Sequence, residues 1–275
     1  MSPDASLIIS VYNKVDYLEL VLAGLTRQSN KNFEIIIADD GSDEKMGRFI
    51  GAYKQTTSLP IRHIWHEDIG FRKNKILNDA MRCAASDYMI FIDGDCVPHK
   101  YFIDSHVKER EANHVLCGSR LMLSERISQS LKKDDVLAGK LESFNFKLLI
   151  DSLKGNASRL EEGIYLRTEI YRKRRNKKPV HILGSNFSIE KRLMDKINGF
   201  DEDYKGPGLG EDSDIQFRLN LVGVQFKSLR NYAILYHINH PKTVESAENQ
   251  MIFSEKKLLN QVFCKNGLVK GNPAR

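Results

Sequence analysis

Two carboxylates, Asp93 and Asp95, leave the apolar run Tyr88-Met89-Ile90-Phe91-Ile92 one residue apart. An unbroken apolar run of this length suits a central parallel strand. Ligands bind at the carboxyl edge of such a sheet. Two like charges there, roughly 4 Å apart at an effective dielectric of about 20, repel by about 4 kcal/mol. A divalent cation relieves that cost, and hard oxygen ligands suit Mg²⁺ or Mn²⁺. A metal at a sheet edge points to phosphate. Asp-Gly is also a common turn pair, so a polar turn is the alternative for these residues taken alone.

Further groups of the same kind follow other apolar runs. Asp39-Asp40-Gly41-Ser42 closes Phe33 to Ala38. A carboxylate there can accept from the N–H of a base or from ribose hydroxyls, as at Rossmann-type sites. No Gly-x-Gly-x-x-Gly follows the first strand, and no Gly-x-x-x-x-Gly-Lys-Ser/Thr occurs, so a dinucleotide fingerprint and a phosphate-cradling ATPase loop are both absent. Phosphate must then be held by metal and basic side chains. Arg72 and Lys75, at a helix start after Gly70-Phe71, are placed for that. Glu211-Asp212 follows the glycine-dense stretch Gly206-Pro207-Gly208-Leu209-Gly210 and opens another helix. Acidic residues suit a first helical turn. They can equally supply a general base aimed at an acceptor hydroxyl. His237 leaves a strand, with His240 three residues on. Either can be a third metal ligand, and His237 is preferred because it sits directly on the strand end.

These side chains need a scaffold that brings strand ends together. Leu7 to Val11, Phe33 to Ala38, Ile61 to Trp65 and Tyr88 to Ile92 read as strands. Leu18, Val21, Leu22 and Leu25, then Ile76, Leu77, Ala80, Met81 and Ala84, recur at helical spacing. Such alternation predicts a mostly parallel α/β sheet with right-handed crossovers. Polar residues after three strands, Tyr12-Asn13-Lys14 among them, then meet at one edge. His181 to Ile189 reads as a strand interrupted at Gly184-Ser185-Asn186, and Tyr232 to Tyr236 as another. Ser124 to Pro179 has weak periodicity and reads as helical segments with a basic loop, Arg167 to Lys178. A tail from Glu245 carries an apolar stripe of Met251, Ile252, Leu258, Leu259 and Val262, which predicts a helix packed on the domain in preference to one lying on a membrane.

The chain has 275 residues, 41% of them apolar, enough for one large α/β domain with an extension. No run of about 20 apolar residues predicts a membrane span. No signal peptide precedes Leu7, and Cys83, Cys96, Cys117 and Cys264 lack metal-type spacing or disulfide density, so a reducing cytoplasm is expected. A net charge of +6 admits an anionic partner. The basic loop offers a patch for a phosphate-bearing acceptor or for peripheral contact with an inner membrane face.

Taken in order, Ser10-Val11-Tyr12-Asn13, Asp39-Asp40-Gly41-Ser42, Asp93-Gly94-Asp95 and Glu211-Asp212 resemble the family-two inverting glycosyltransferases of the A-type fold. Gly70-Phe71-Arg72 and Gly208 to Asp214 resemble the branch with bacterial chondroitin polymerases and the C-terminal part of animal β-galactosyltransferases. The resemblance covers about residues 5 to 120 and 180 to 240. It implies a Rossmann-like sheet, a nucleotide-sugar donor (most often a UDP-sugar), a glycan or lipid-linked oligosaccharide acceptor, Mn²⁺ or Mg²⁺, and no nucleic acid. It implies that Asp39 and Asp40 bind base and ribose, with Ser10, Tyr12 and Asn13 beside them. Asp93 contacts ribose or metal, Asp95 ligates the metal, and His237 completes its shell. Asp212 is the base and Glu211 helps hold the acceptor. Gly184 and Asn186 line the sugars, and Arg72 and Lys75 meet phosphate. Residues 1–123 then form the nucleotide-sugar-binding half, 124–179 an insertion, 180–244 the acceptor-binding and catalytic half, and 245–275 a helical tail. Two departures stand out. Lys73-Asn74-Lys75 replaces the Ala-Arg-Asn of the family, and the Gly208 to Gly210 loop lacks the tryptophan of the galactosyltransferases. Two rivals to this reading are a sugar-phosphate nucleotidyltransferase, which would need a glycine-rich loop near Ser10 to Lys14, and a non-catalytic module for anionic membrane or nucleic acid.

Overall fold

The computed structural model describes residues 2–143, 160–166, 168, 180–241 and 244–270. The basic residues of the 167–178 stretch lie outside this set. The first unit runs β1 (Ala5–Val11), α1 (Val15–Thr26), β2 (Phe33–Asp39), α2 (Glu44–Thr56), β3 (Ile61–Trp65), α3 (Lys73–Arg82) and β4 (Tyr88–Asp93). Then follow β5 (Cys96–Pro98), α4 (Phe102–Lys108), β6 (His114–Cys117), β7 (Ser119–Met122), α5 (Glu125–Ser130) and α6 (Lys133–Leu137). The last part holds β8 (Asn186–Glu190), α7 (Lys191–Lys196), α8 (Asp212–Leu221), β9 (Gln225–Ser228), β10 (Ile234–His237) and α9 (Ala247–Leu258).

Seven strands form the main sheet in the order β3-β2-β1-β4-β8-β6-β9. All its pairings are parallel except those of β8, which runs antiparallel to β4 and β6. The central strands bury both faces, which is why they read as continuous apolar runs. Leu7, Ile9, Ile35, Ile37, Ile90 and Ile92 pack with Leu18, Val21, Leu22 and Leu25 of α1. Ile8, Ile36, Met89 and Phe91 pack with Ile76, Leu77, Ala80 and Met81 of α3 and with Ile215 and Leu219 of α8. The expected strand over His181 to Ile189 starts only at Asn186, because the chain turns there, Asn186 N donating to Leu183 O at 2.8 Å.

Register fixes the functional edge. Ser10 lies beside Asp93 on one side of β1, and Val11 beside Asp39 on the other. A second, three-stranded sheet, β5-β10-β7, sets His237 opposite Cys96. Helix α8 is anchored by a buried ion pair. Arg218 Nε donates to Asp214 Oδ2 at 2.7 Å, and its other nitrogens reach Ile197 O at 2.5 Å and Gly199 O at 2.9 Å. Removing one partner of a buried pair strands the other's charge, so Arg218→Ala is expected to cost about 3–5 kcal/mol, read as a lowered urea midpoint.

The tail helix departs from expectation. Met251, Leu258 and Leu259 of the apolar stripe are exposed, whereas Asn249 and Lys256 are buried. Helix α9 therefore docks through these polar groups and through Phe253, whose ring meets Phe217 edge-on, while Val262 of the stripe packs on the core. Among the described residues, no helix is long and apolar enough to cross a membrane.

Candidate active site

Asp93 ends β4, and its Oδ1 accepts from Ser10 Oγ at 2.7 Å and from Lys73 Nζ at 2.6 Å. Lys73, the first residue of α3, also lies 2.8 Å from Glu211 Oε1. A single ammonium thus joins the end of a central strand to the loop before α8. Burial alone would lower the Lys73 pKa, but Asp93 and Glu211 raise it and keep the amine charged. Burial pushes the Glu211 carboxyl up to about 7, and Lys73 only partly offsets it.

Asp95 has other partners. Its Oδ2 lies 2.9 Å from His240 Nε2 and 3.5 Å from His237 Nε2, and its Oδ1 accepts from Cys96 Sγ at 3.1 Å. Burial works to raise the Asp95 carboxyl, yet the His240 hydrogen bond and the His237 charge hold it at about 2. Ligand atoms of Asp95, Cys96 and His237 lie within 4.8 Å of one another. Asp93 stands apart from that set, held by Lys73 and Ser10. Cysteine spacing gave no hint of Cys96, because the pairing of β5 with β10, far apart in sequence, brings it to His237. Its thiol is pushed well above the ordinary range by burial and by Asp95.

At the β2 end, Asp39 is fully buried. Its Oδ1 accepts from Ser42 N at 2.8 Å, and its Oδ2 lies 2.8 Å from His63 Nε2. Asp40 Oδ1 lies 2.7 Å from His66 Nε2, and Oδ2 accepts from the Arg72 amide at 3.0 Å. Asn13, in the left-handed region at φ 51°, shapes the turn after β1, its Oδ1 accepting from Asp43 N at 2.8 Å.

A cleft of about 620 Å³ lies over this edge, lined in part by Ser10, Tyr12, Asp40, Lys73, Asp93, Asp95 and His240. The side chains of Arg72 and Lys75 do not line it. Arg72 donates to Glu67 O at 2.5 Å, and Lys75 pairs with Asp79 at 2.5 Å. Lys73 lines the cleft in their stead, paired with Asp93 at the end of β4. Asn186 also differs from expectation. Its amide is spent in the core, donating to Ser119 O at 2.8 Å and Ala233 O at 2.9 Å. Gly184 does meet the α8 start, its N–H donating to Asp212 Oδ2 at 3.2 Å. Asp212 Oδ1 accepts from Ser213 Oγ at 3.2 Å.

The loop ahead of Asp212 is tied down. Asn74, next to Lys73, donates to Asp201 O at 2.7 Å and Gly210 O at 2.8 Å. Gly210 has φ +115°, and a Cβ there would meet the Tyr204 ring at 2.2 Å, so no other residue fits. The acidic cluster at Asp201 and Asp203 faces Lys256 of α9 and not the cleft.

A family model described as glycosyl transferase family 2 matches residues 6–193, more than half of the chain. The chain belongs to glycosyl transferase family 2. A second model, described as the N-terminal domain of galactosyltransferase, matches residues 167–241. This family 2 enzyme is 28% identical to the chondroitin synthase of Pasteurella multocida (strain Pm70) over 248 residues, covering 86% of this chain and 25% of that protein. It is also 28% identical over 268 residues to the uncharacterized glycosyltransferase YfnE of Bacillus subtilis (strain 168), covering 89% and 67%. It thus spans about a quarter of the length of the synthase. Among solved structures it is similar to the mannosyltransferase PcManGT from Pyrobaculum calidifontis in complex with GDP-Man and Mn²⁺, with a TM-score of 0.57 at 14% identity over 95% of this chain and 63% of that one. S. aureus TarS gives a TM-score of 0.58 at 18% identity over 92% and 39%. These neighbours show the A-type glycosyltransferase fold. Neither rival reading, the nucleotidyltransferase or the non-catalytic module, is the family that this chain matches.

Proposed function

We propose that this enzyme moves a hexose-type sugar from a UDP-sugar to a hydroxyl of a glycan or lipid-linked oligosaccharide, with inversion, in the synthesis of a bacterial surface polysaccharide or glycoconjugate. The observation that carries the reading is the Asp93–Lys73–Glu211 chain, which couples the strand end where a donor would lie to the helix start bearing Asp212. Asp40, Ser10 and Tyr12 line the cleft, and in this reading they meet the nucleoside. Asp39, buried beneath, orients that turn through Ser42 and His63.

The side chains around Asp95 suit a divalent cation, Mn²⁺ or Mg²⁺. A carboxylate and an imidazole converge there with a thiol beside them, and His237 Nδ1 is buried with no hydrogen-bond partner among the described residues. Asp95 and His237 would hold the ion. When bound, it neutralises charge on the leaving diphosphate. Asp212 then takes the proton of the acceptor hydroxyl as that oxygen attacks the anomeric carbon opposite the leaving group. The C–O bond to the diphosphate breaks with its electron pair, and a single displacement inverts the centre. Lys73 keeps Glu211 and Asp93 at one spacing while this happens. A UDP-sugar donor and a lipid-linked acceptor place the reaction at the cytoplasmic face of a membrane, with no nucleic acid partner.

The test is a panel of UDP-hexoses, UDP-N-acetylhexosamines and UDP-glucuronic acid, with GDP-mannose as the contrasting donor, each with and without Mn²⁺. One UDP-sugar is expected to raise the melting temperature and to release UDP only with Mn²⁺. A ligand at about 100 times its Kd stabilises by about 2.7 kcal/mol, well within reach of a thermal shift. Preference for GDP-mannose would overturn the uridine assignment, and equal turnover after chelation would overturn the metal.

A further inference from the structure

We propose that Asn249 is a positioning residue for sugar transfer, and that α9 belongs to the catalytic unit because it holds the loop ahead of Asp212. The inference rests on the reading of Asp212 as the base. Residues 244–270 lie outside both family-model matches, which end at residues 193 and 241. Yet the start of α9 grips the Gly206 to Gly210 loop. Asn249 is buried, and its Nδ2 donates to Gly206 O and Leu209 O, both at 2.8 Å. Ser246 N donates to Pro207 O at 3.0 Å, while Ser246 Oγ caps the helix by accepting from Asn249 N at 3.2 Å. One short stretch therefore starts its own helix and satisfies three loop carbonyls.

The opposite side of the loop is held in the same way by Asn74, which takes Gly210 O. Two buried amides, one from α3 and one from the tail, thus suspend the segment that delivers Glu211 and Asp212. The glycine at 206 is part of the fit, since a Cβ there would meet Ser246 Cβ at 2.7 Å. Buried amide donors on backbone carbonyls are costly to leave unpaired, so such contacts fix a backbone path. A base must lie within hydrogen-bond reach of the proton it takes, and small misplacements lose large factors in rate. Nothing else in the position of Asn249 calls for an amide: it lies far in sequence from the loop and its Oδ1 has no partner among the described residues.

Asn249→Asp keeps the side-chain volume but removes both N–H donors. In the full chain it is expected to speed hydrogen–deuterium exchange of amides 206–212 at least tenfold, with exchange in β1, β4 and α3 unchanged. Affinity for UDP with Mn²⁺ and donor KM should stay within twofold, while kcat for transfer falls at least tenfold. Gly206→Ala, whose Cβ would meet Ser246 Cβ at 2.7 Å, pushes the same loop off the start of α9 and should reproduce the pattern with the Asn249 amide itself intact. Unchanged exchange and kcat in both variants overturn the proposal. So does faster exchange throughout the protein with matching loss of UDP affinity, which marks a purely structural role. Asp212→Asn serves as the control: if it retains full transfer, the base assignment fails, while the exchange result still reports on the loop.

Discussion

Asp212→Asn is expected to lower sugar transfer by about 10²–10⁴-fold, the range that a lost general base produces, with UDP affinity unchanged. The substitution keeps size, and its amide oxygen can accept from Gly184 N–H while its NH2 donates to Ser213 Oγ. What it removes is the capacity to take a proton. Glu211 is the internal comparison. It lies one residue away, but its carboxylate is engaged by Lys73 and raised by burial. Glu211→Gln should therefore cost less than Asp212→Asn and should raise acceptor KM as well as lower kcat. If the two losses are reversed in size, Glu211 is the base and Asp212 its support. Stopped transfer with a retained UDP complex, measured by calorimetry on the same preparation, separates this outcome from misfolding.

Asp95→Ala is expected to weaken Mn²⁺ binding at least about 100-fold and to remove the dependence of residual activity on added metal. The carboxylate touches Cys96, His237 and His240 together. His237→Ala should lose Mn²⁺ affinity on a similar scale. His240→Ala should lose less, because His240 is the more exposed ring and stands outside the group of converging ligand atoms. Electron paramagnetic resonance of free Mn²⁺ gives the affinity directly. Wild-type Mn²⁺ affinity in Asp95→Ala would remove the residue from the metal site.

The strands of the first half were legible because central parallel strands are apolar on both faces and end at polar residues. The ends of β1, β2 and β4 therefore announced Ser10, Asp39, Asp40 and Asp93 in the sequence. Lys73 was harder to see. It is one of three basic residues in Arg72-Lys73-Asn74-Lys75, and nothing there says which of them points to the strand edge. That depends on where the helix begins, and helix starts are uncertain by a residue or two. Cys96 was invisible for a different reason, since it meets His237 only through a second sheet built from strands distant in the chain. The tail was only partly legible: Val262 of its apolar stripe packs on the core, but Met251, Leu258 and Leu259 are exposed and Asn249 and Lys256 are buried in their stead. A polar contact of that kind leaves no periodic signature.

The position of β8 limits how the molecule can be divided. A strand from the later part of the chain lies between β4 and β6 of the earlier part. A fragment ending before Asn186 would present two bare strand edges side by side, separated by a gap one strand wide. Such a gap is a template for any extended segment of matching length, including β8 of another molecule. The earlier and later portions of the chain are therefore not interchangeable cassettes. Exchanging specificity between relatives calls for grafting the loops over the cleft onto an intact sheet, with the tail helix carried along.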